Sequence, residues 1–247
     1  MSITITYNIK TYQTSSVIYR MKELILNNNK LLKVISNIYI MLDFGDENEK
    51  IINATNISII SKVIRKGVMA GWIDKEVSEE FLKILENITS KQLGFVLEQI
   101  VADIGPYEEM ETSNYSMDVK IDGVEEVNKN KNFDVFFFDI NYSKNKKYGD
   151  KIDIDGKSEF HECKKNVCNF IPCDLNIKLK TKVKEKLDFM KETYELHKIG
   201  KYYIPTFYTE VTPQRQFLEK YEGGKYSFIS ILDIYKLIQL SEKNLAS

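Results

Sequence analysis

Apolar residues hold a helical period over the first part of this chain and then lose it, and the change divides the chain. From about Ser15 to Ile88 they recur at helical spacing: Val17, Met21, Leu24 and Ile25, then Leu31, Leu32, Ile35 and Ile38, then Ile59, Ile60, Val63, Ile64 and Val68. Asp74 precedes a further set, Val77, Phe81, Leu82 and Leu85, and Glu76 suits a helix start. Three or four helices are therefore expected over residues 1–88, with a turn at Phe44-Gly45-Asp46. Ahead of them Ile3, Ile5, Tyr7 and Ile9 alternate weakly, as in a short strand.

Thr89-Ser90-Lys91-Gln92 reads as a capping box that opens a helix through Leu93, Val96, Leu97, Ile100 and Val101 to Gly105-Pro106, with Glu98 inside it. The period then drops to two. Strands are expected over Tyr115–Ile121, closed by Asp122-Gly123, over Phe133–Ile140, closed by Asn141, and over Ser158–Lys164, after Asp155-Gly156. Leu179, Val183, Leu187, Met190 and Tyr194 restore a helical spacing, and Tyr202–Tyr208 is a fourth strand. Thr212-Pro213 opens a short helix, Phe228-Ile229 is a last short strand, and Ser230 with Asp233 starts a terminal helix through Leu240.

The pattern thus gives an α/β chain with a helical section over residues 1–88 and a helix, three strands, a helix and a strand within residues 89–247. A chain of 247 residues can bury this as one domain or as one domain with an appendage. A formal net charge of −1 supplies no global field toward nucleic acid, so any such surface has to be local. Two local candidates exist. One is the row Lys180, Lys184, Lys191 and Lys198 on the helix after the third strand; the other is the loop with Lys144, Lys146 and Lys147. Arg215, after the fourth strand, is a further candidate for phosphate or base edges. No apolar run approaches about 18 residues and no leader-like segment opens the chain, which predicts a protein without a membrane span, in the cytoplasm. Three cysteines agree with a reducing compartment.

The chemistry lies on the second and third expected strands. Asp134 opens Phe133-Asp134-Val135-Phe136-Phe137-Phe138-Asp139, and Glu162-Cys163-Lys164 closes the next strand. Strand alternation points Glu162 and Lys164 to one face and His161, Cys163 and Lys165 to the other. With the strands side by side, Asp134, Glu162 and Lys164 converge. Two hard carboxylates suit Mg²⁺, the carbonyl of Cys163 is a further oxygen ligand, and the lysine can orient or deprotonate the attacking water or stabilise charge. Two other acid-x-lysine triplets, Asp118-Val119-Lys120 and Asp155-Gly156-Lys157, lack this context. Asp139 is the substitute acid on the Asp134 strand. His161, Cys163, Cys168 and Cys173 offer soft ligands, but their spacing fits no common zinc site and buried free thiols are the reading.

On these residues the chain resembles the PD-(D/E)xK nuclease superfamily, the restriction-endonuclease-like fold. Asp134 matches the acid of the second core strand, Glu162 and Lys164 the acid and lysine of the third, and Glu98 the glutamate often carried by the first core helix. Asn132 stands where the family often has proline, and a long polar hairpin, Tyr142–Lys157, separates the acids. The resemblance implies a Mg²⁺-dependent endonuclease, with Mn²⁺ able to substitute. It implies DNA as substrate, a restriction or phage-defence setting and a homodimer, with the helical section as an interface or a nucleic-acid contact. RNA cleavage of the cap-snatching type and a non-catalytic nucleic-acid-binding subunit are the alternatives.

Overall fold

A computed structural model describes residues 3–6, 13, 15–42, 49–108, 110, 113–119, 132–139, 151–154, 157–198 and 200–245. A first strand, β1 (Ile3–Thr6), precedes four helices: α1 (Val17–Asn27), α2 (Leu31–Met41), α3 (Ile57–Met69) and α4 (Lys75–Leu85). Asp74 caps α4 by accepting the Val77 N–H at 2.8 Å. The expected turn at Phe44-Gly45-Asp46 lies outside the described residues, as do the turns at Asp122-Gly123, Asn141 and Asp155-Gly156.

Helix α5 (Ser90–Ile104) opens with the expected capping box: Gln92 N–H donates to Thr89 Oγ1, and Thr89 N–H to Gln92 Oε1. Strands β2 (Ser113–Val119), β3 (Phe133–Asp139), β4 (Lys151–Ile154) and β5 (Ser158–His161) follow. Then come α6 (Thr181–His197), β6 (Lys201–Pro205), α7 (Thr212–Lys220), β7 (Ile229–Leu232) and α8 (Ile234–Leu245). Among the described residues this makes an α/β chain of eight helices with a five-stranded mixed sheet in the order β2-β3-β5-β6-β7. The first three of those strands are antiparallel, and β6 and β7 run parallel to β5. None of the helices among the described residues is long and apolar enough to cross a membrane.

Several boundaries differ from the sequence pattern. The polar hairpin Tyr142–Lys157 contains β4, which pairs antiparallel with β1 outside the main sheet. Strand β5 stops at His161 and β6 at Pro205, short of Lys164 and Tyr208. Ser230 belongs to β7. Asp233 alone caps α8, accepting the Lys236 N–H at 3.1 Å, and the helix runs on to Leu245. Thr212 lies inside α7 rather than capping it, and its N–H is taken by the Glu210 carboxylate at 3.0 Å.

The sheet divides two apolar layers. On one side Met117, Val135, Phe137, Cys163 and Phe207 join one continuous cluster with α1 to α5 and α8, so the helical front section shares its core with α5. On the other side Val119, Phe133, Phe136, Phe138, Phe160 and Tyr202 pack on Val183, Leu187, Phe189 and Met190 of α6 and Phe217 of α7. Phe160 fixes the entry to β6. At Gly200, φ is +81°, and a Cβ there would stand 2.6 Å from the Phe160 ring and 2.9 Å from the Ser158 carbonyl oxygen. Only glycine fits both the left-handed backbone and that approach.

Candidate active site

The site forms where β3 and β5 part. Their last described pair is Val135 with His161. Beyond it the chain leaves β3 but stays beside β6: Glu162 N–H donates to the Tyr203 carbonyl and Lys164 N–H to the Pro205 carbonyl, both at 2.9 Å. Residues two apart that bond to the same neighbour share a face, so Glu162 and Lys164 project together although the regular strand has ended. The intervening Cys163 N–H, which points back toward β3, is accepted by Asp134 Oδ2 at 2.7 Å. A carboxylate thus takes the place of a ladder acceptor and satisfies a donor that would otherwise be orphaned.

Side-chain alternation also breaks here. Val135 and Phe137 face the α5 layer and Phe136 and Phe138 the α6 layer, yet Phe133 lies in the α6 layer instead of beside Val135. The partner strand does the same, with Met117 in one layer and Val119 in the other, and between them Asp118 has φ +50°. The shared kink sets Asp134 between the layers, within the electrostatic reach of Glu98 on α5 and Lys186 on α6. The Asp118 carboxylate also accepts from Asn132 Nδ2 at 3.1 Å, so this acid, outside the motif, braces the residue two before Asp134.

Four charged side chains then meet beside the end of β5. Lys164 Nζ stands 2.5 Å from Glu162 Oε1, 3.2 Å from the Cys163 carbonyl oxygen and 3.9 Å from Asp134 Oδ2. Lys186 Nζ lies 2.7 Å from Glu162 Oε2 and also donates to the Asn132 carbonyl. Exposure falls inward: the Lys164 side chain is 27% accessible, Asp134 15% and Glu162 4%. Burial pushes the Asp134 carboxyl up to about 7, with the Glu162 and Glu98 charges adding and the two lysines opposing. Burial also acts against the Glu162 anion, but Lys164 and Lys186 outweigh it and hold the group below its ordinary range. For Lys164 burial favours the neutral amine; Glu162 and Asp134 overcome it and raise the pKa, so the group is an ammonium at neutral pH. The Cys163 thiol is driven well up by burial and by the nearby acids. It stays protonated, and this residue's polar contribution is its main chain.

The structure therefore brings Asp134, Glu162, Lys164 and the Cys163 carbonyl together, with Glu98 half-buried nearby on α5. Lys186 is the site residue that sequence reasoning missed. It borders the buried stripe of α6 three positions from both Val183 and Phe189, and a lysine at the edge of an apolar stripe was the available signal. The row Lys180, Lys184, Lys191 and Lys198 lies roughly 120–160° around the helix from it. Lys184 and Lys191 there face Asp188 at 3.9 Å and Glu195 at 2.8 Å. Arg215 is held by Asp233 at 2.7 Å and by the Ile231 carbonyl at 3.1 Å, which ties α7 to β7. Lys144, Lys146 and Lys147 lie outside the described residues. Asp139 sits at the far end of β3, opposite Ser113.

The soft-ligand set disperses. His161 Nε2 lies 2.9 Å from Glu159 Oε2 on the opposite face, where the Glu159 carboxylate also accepts the Tyr107 and Glu108 N–H groups. Cys163 is buried as expected, but Cys168, in a short 3-10 turn, and Cys173 are exposed on the connection between β5 and α6. Among the described residues no three His, Cys, Asp or Glu side chains gather into a metal site. A hard cation asks for less. Mg²⁺ is commonly held by one or two carboxylates plus waters. Asp134 and Glu162 with the Cys163 carbonyl fit that requirement, and a carboxyl raised to about 7 by burial and by like charges marks where a cation would relieve repulsion. No family model matches the chain, and neither a curated protein nor a solved structure does.

Proposed function

We propose that the protein is a Mg²⁺-dependent endonuclease of the restriction-endonuclease-like type, hydrolysing phosphodiester bonds at Asp134, Glu162 and Lys164. The observation that carries this reading is the convergence of these residues where β3 and β5 part, with the Lys164 ammonium facing oxygens of both acids and of the Cys163 main chain. Support also comes from the connectivity. A helix (α5), three antiparallel strands (β2, β3, β5), a helix (α6) and a strand parallel to the third (β6) make up the order that the resemblance implies.

Asp134, Glu162 and the Cys163 carbonyl would hold the ion, for which Mn²⁺ is an acceptable substitute. When bound, it supplies an acidified water and a positive charge for the developing phosphorane oxygens. The residues' own parts follow from their charge states. Lys164 can donate hydrogen bonds to phosphate oxygen or leaving group, or orient the attacking water. Lys186 keeps Glu162 ionised and oriented. Glu98 adds negative charge from α5 that favours a bound cation.

DNA is the substrate class we propose, in a restriction or phage-defence role and as a homodimer in the cytoplasm. RNA is the alternative. Purified protein incubated with supercoiled plasmid, linear DNA and single-stranded RNA tests this, with Mg²⁺ or with EDTA. Cleavage only with the metal supports the reading, and inertness toward all three substrates refutes it.

A further inference from the structure

We infer that Lys164 is the site's own stand-in for the metal ion, and that loading with a divalent cation requires its ammonium to leave the position it holds here. The inference rests on the assignment of Asp134, Glu162 and the Cys163 carbonyl as the ligand set.

The oxygens proposed to hold the ion are the ones gathered around Lys164 Nζ: Glu162 Oε1 at 2.5 Å, the Cys163 carbonyl oxygen at 3.2 Å and Asp134 Oδ2 at 3.9 Å. Two cations cannot share them. At a separation of about 4 Å a unit charge and a divalent ion repel by several kcal/mol even in a well-screened protein environment. Lys164 is also the side chain equipped to move. It is the most exposed of the four charged groups, its stem is flexible, and its ammonium also lies over the Phe170 ring, 5.1 Å from Nζ.

Lys186 is fixed by comparison. It is 13% exposed, holds the other Glu162 oxygen at 2.7 Å and is tethered to the Asn132 carbonyl. Lys186 therefore keeps Glu162 in place while Oε1 is released. One lysine is a strut, and the other gives way to the ion and is delivered toward the phosphate. The Lys164 ammonium neutralises from within a pair of largely buried acids that would otherwise repel.

The consequence is measurable as metal affinity, without turnover. Wild-type protein binds Mn²⁺ against an internal competitor. Lys164→Met keeps most of the stem's volume, removes the charge and leaves every proposed ligand in place. It should therefore bind Mn²⁺ at least about tenfold more tightly than wild type, read from the free-ion electron paramagnetic resonance signal. Lys164→Arg retains a competing cation and should not tighten binding. It also serves if the Met variant fails the circular-dichroism check of folding, since it should then bind Mn²⁺ no better than wild type. Lys186→Met should tighten binding less than Lys164→Met, since its ammonium touches one of the acids and not the gathered oxygens.

Equal or weaker Mn²⁺ binding by Lys164→Met overturns the inference, as does Lys164→Arg binding more tightly than wild type. So does equal tightening by Lys186→Met. Absence of Mn²⁺ binding in wild type and all variants overturns the ligand set itself, and the proposed function with it.

Discussion

Replacing Asp134 by Asn should stabilise the metal-free protein at alkaline pH while abolishing the proposed nuclease activity. In the folded state the carboxyl is raised from 3.8 to about 7, so the folded chain holds this proton more tightly than the unfolded chain does. Below the lower value both states are protonated and the group is silent. Between the two values the folded state binds more protons, so stability falls as pH rises, by up to about 1.4 kcal/mol per pH unit. Above pH 7 the whole cost is present. A shift of about 3 units corresponds to roughly 4 kcal/mol, a ceiling that rearrangement of Lys164 and entry of water will lower. The side chain is only 15% exposed, so bulk screening reduces it little. Asn keeps an oxygen for the Cys163 N–H and cannot ionise. Urea unfolding in EDTA, followed by circular dichroism, gives the difference between variant and wild type at each pH, and titrating groups distant from the site cancel in that difference. The advantage of Asn should grow by about 2–3 kcal/mol between pH 5 and pH 8. A difference independent of pH, or a variant less stable than wild type at pH 8, refutes the assignment of a raised carboxyl at this position.

Glu162→Gln should act in the opposite sense, because it leaves Lys164 and Lys186 facing a neutral group; a loss of about 3 kcal/mol or more in urea unfolding at pH 7 is expected. Gly200→Ala should cost about 2–4 kcal/mol, from the left-handed backbone and from contact with Phe160 and the Ser158 carbonyl, read as a lowered thermal midpoint. Thiol titration of the native protein should find Cys168 and Cys173 reacting fast and Cys163 only on unfolding. Changing Lys180, Lys184, Lys191 and Lys198 together to Glu should weaken nucleic-acid binding and flatten its salt dependence, each lost phosphate contact removing about 0.9 from the logarithmic slope on duplex DNA. An unchanged slope would make this row a solvated surface, as the Lys184–Asp188 and Lys191–Glu195 pairs already favour.

Local patterning carried most of the architecture. The capping box at Thr89, the Asp74 cap, the period-two runs and the Leu179–Tyr194 stripe each encode an element through contacts within a few residues. The shared face of Glu162 and Lys164 was legible for the same reason, since alternation acts over two positions, whereas Asp134 meets them at a kink where alternation fails. What stayed hidden depends on distant partners. Strand β4 exists through pairing with β1, more than half the chain away. Lys186 belongs to the site only because α6 packs across the strand that leads into Glu162. The kink at Asp118 and Asp134 is a joint property of two strands. The early end of β5 arises because β3 diverges while β6 continues, which no local sequence signal records.

The central claim is that Asp134, Glu162 and Lys164 form one metal-dependent phosphodiesterase site. Its most direct test is single-turnover cleavage of a labelled nucleic acid, DNA first and RNA in parallel, by wild type, Asp134→Asn, Glu162→Gln and Lys164→Met, with Mg²⁺ and with EDTA. Wild type should cut with Mg²⁺ and not with EDTA, and each folded variant should be slower by at least about a hundredfold. Undiminished cleavage by either carboxylate variant, or wild-type cleavage that persists in EDTA, would contradict it.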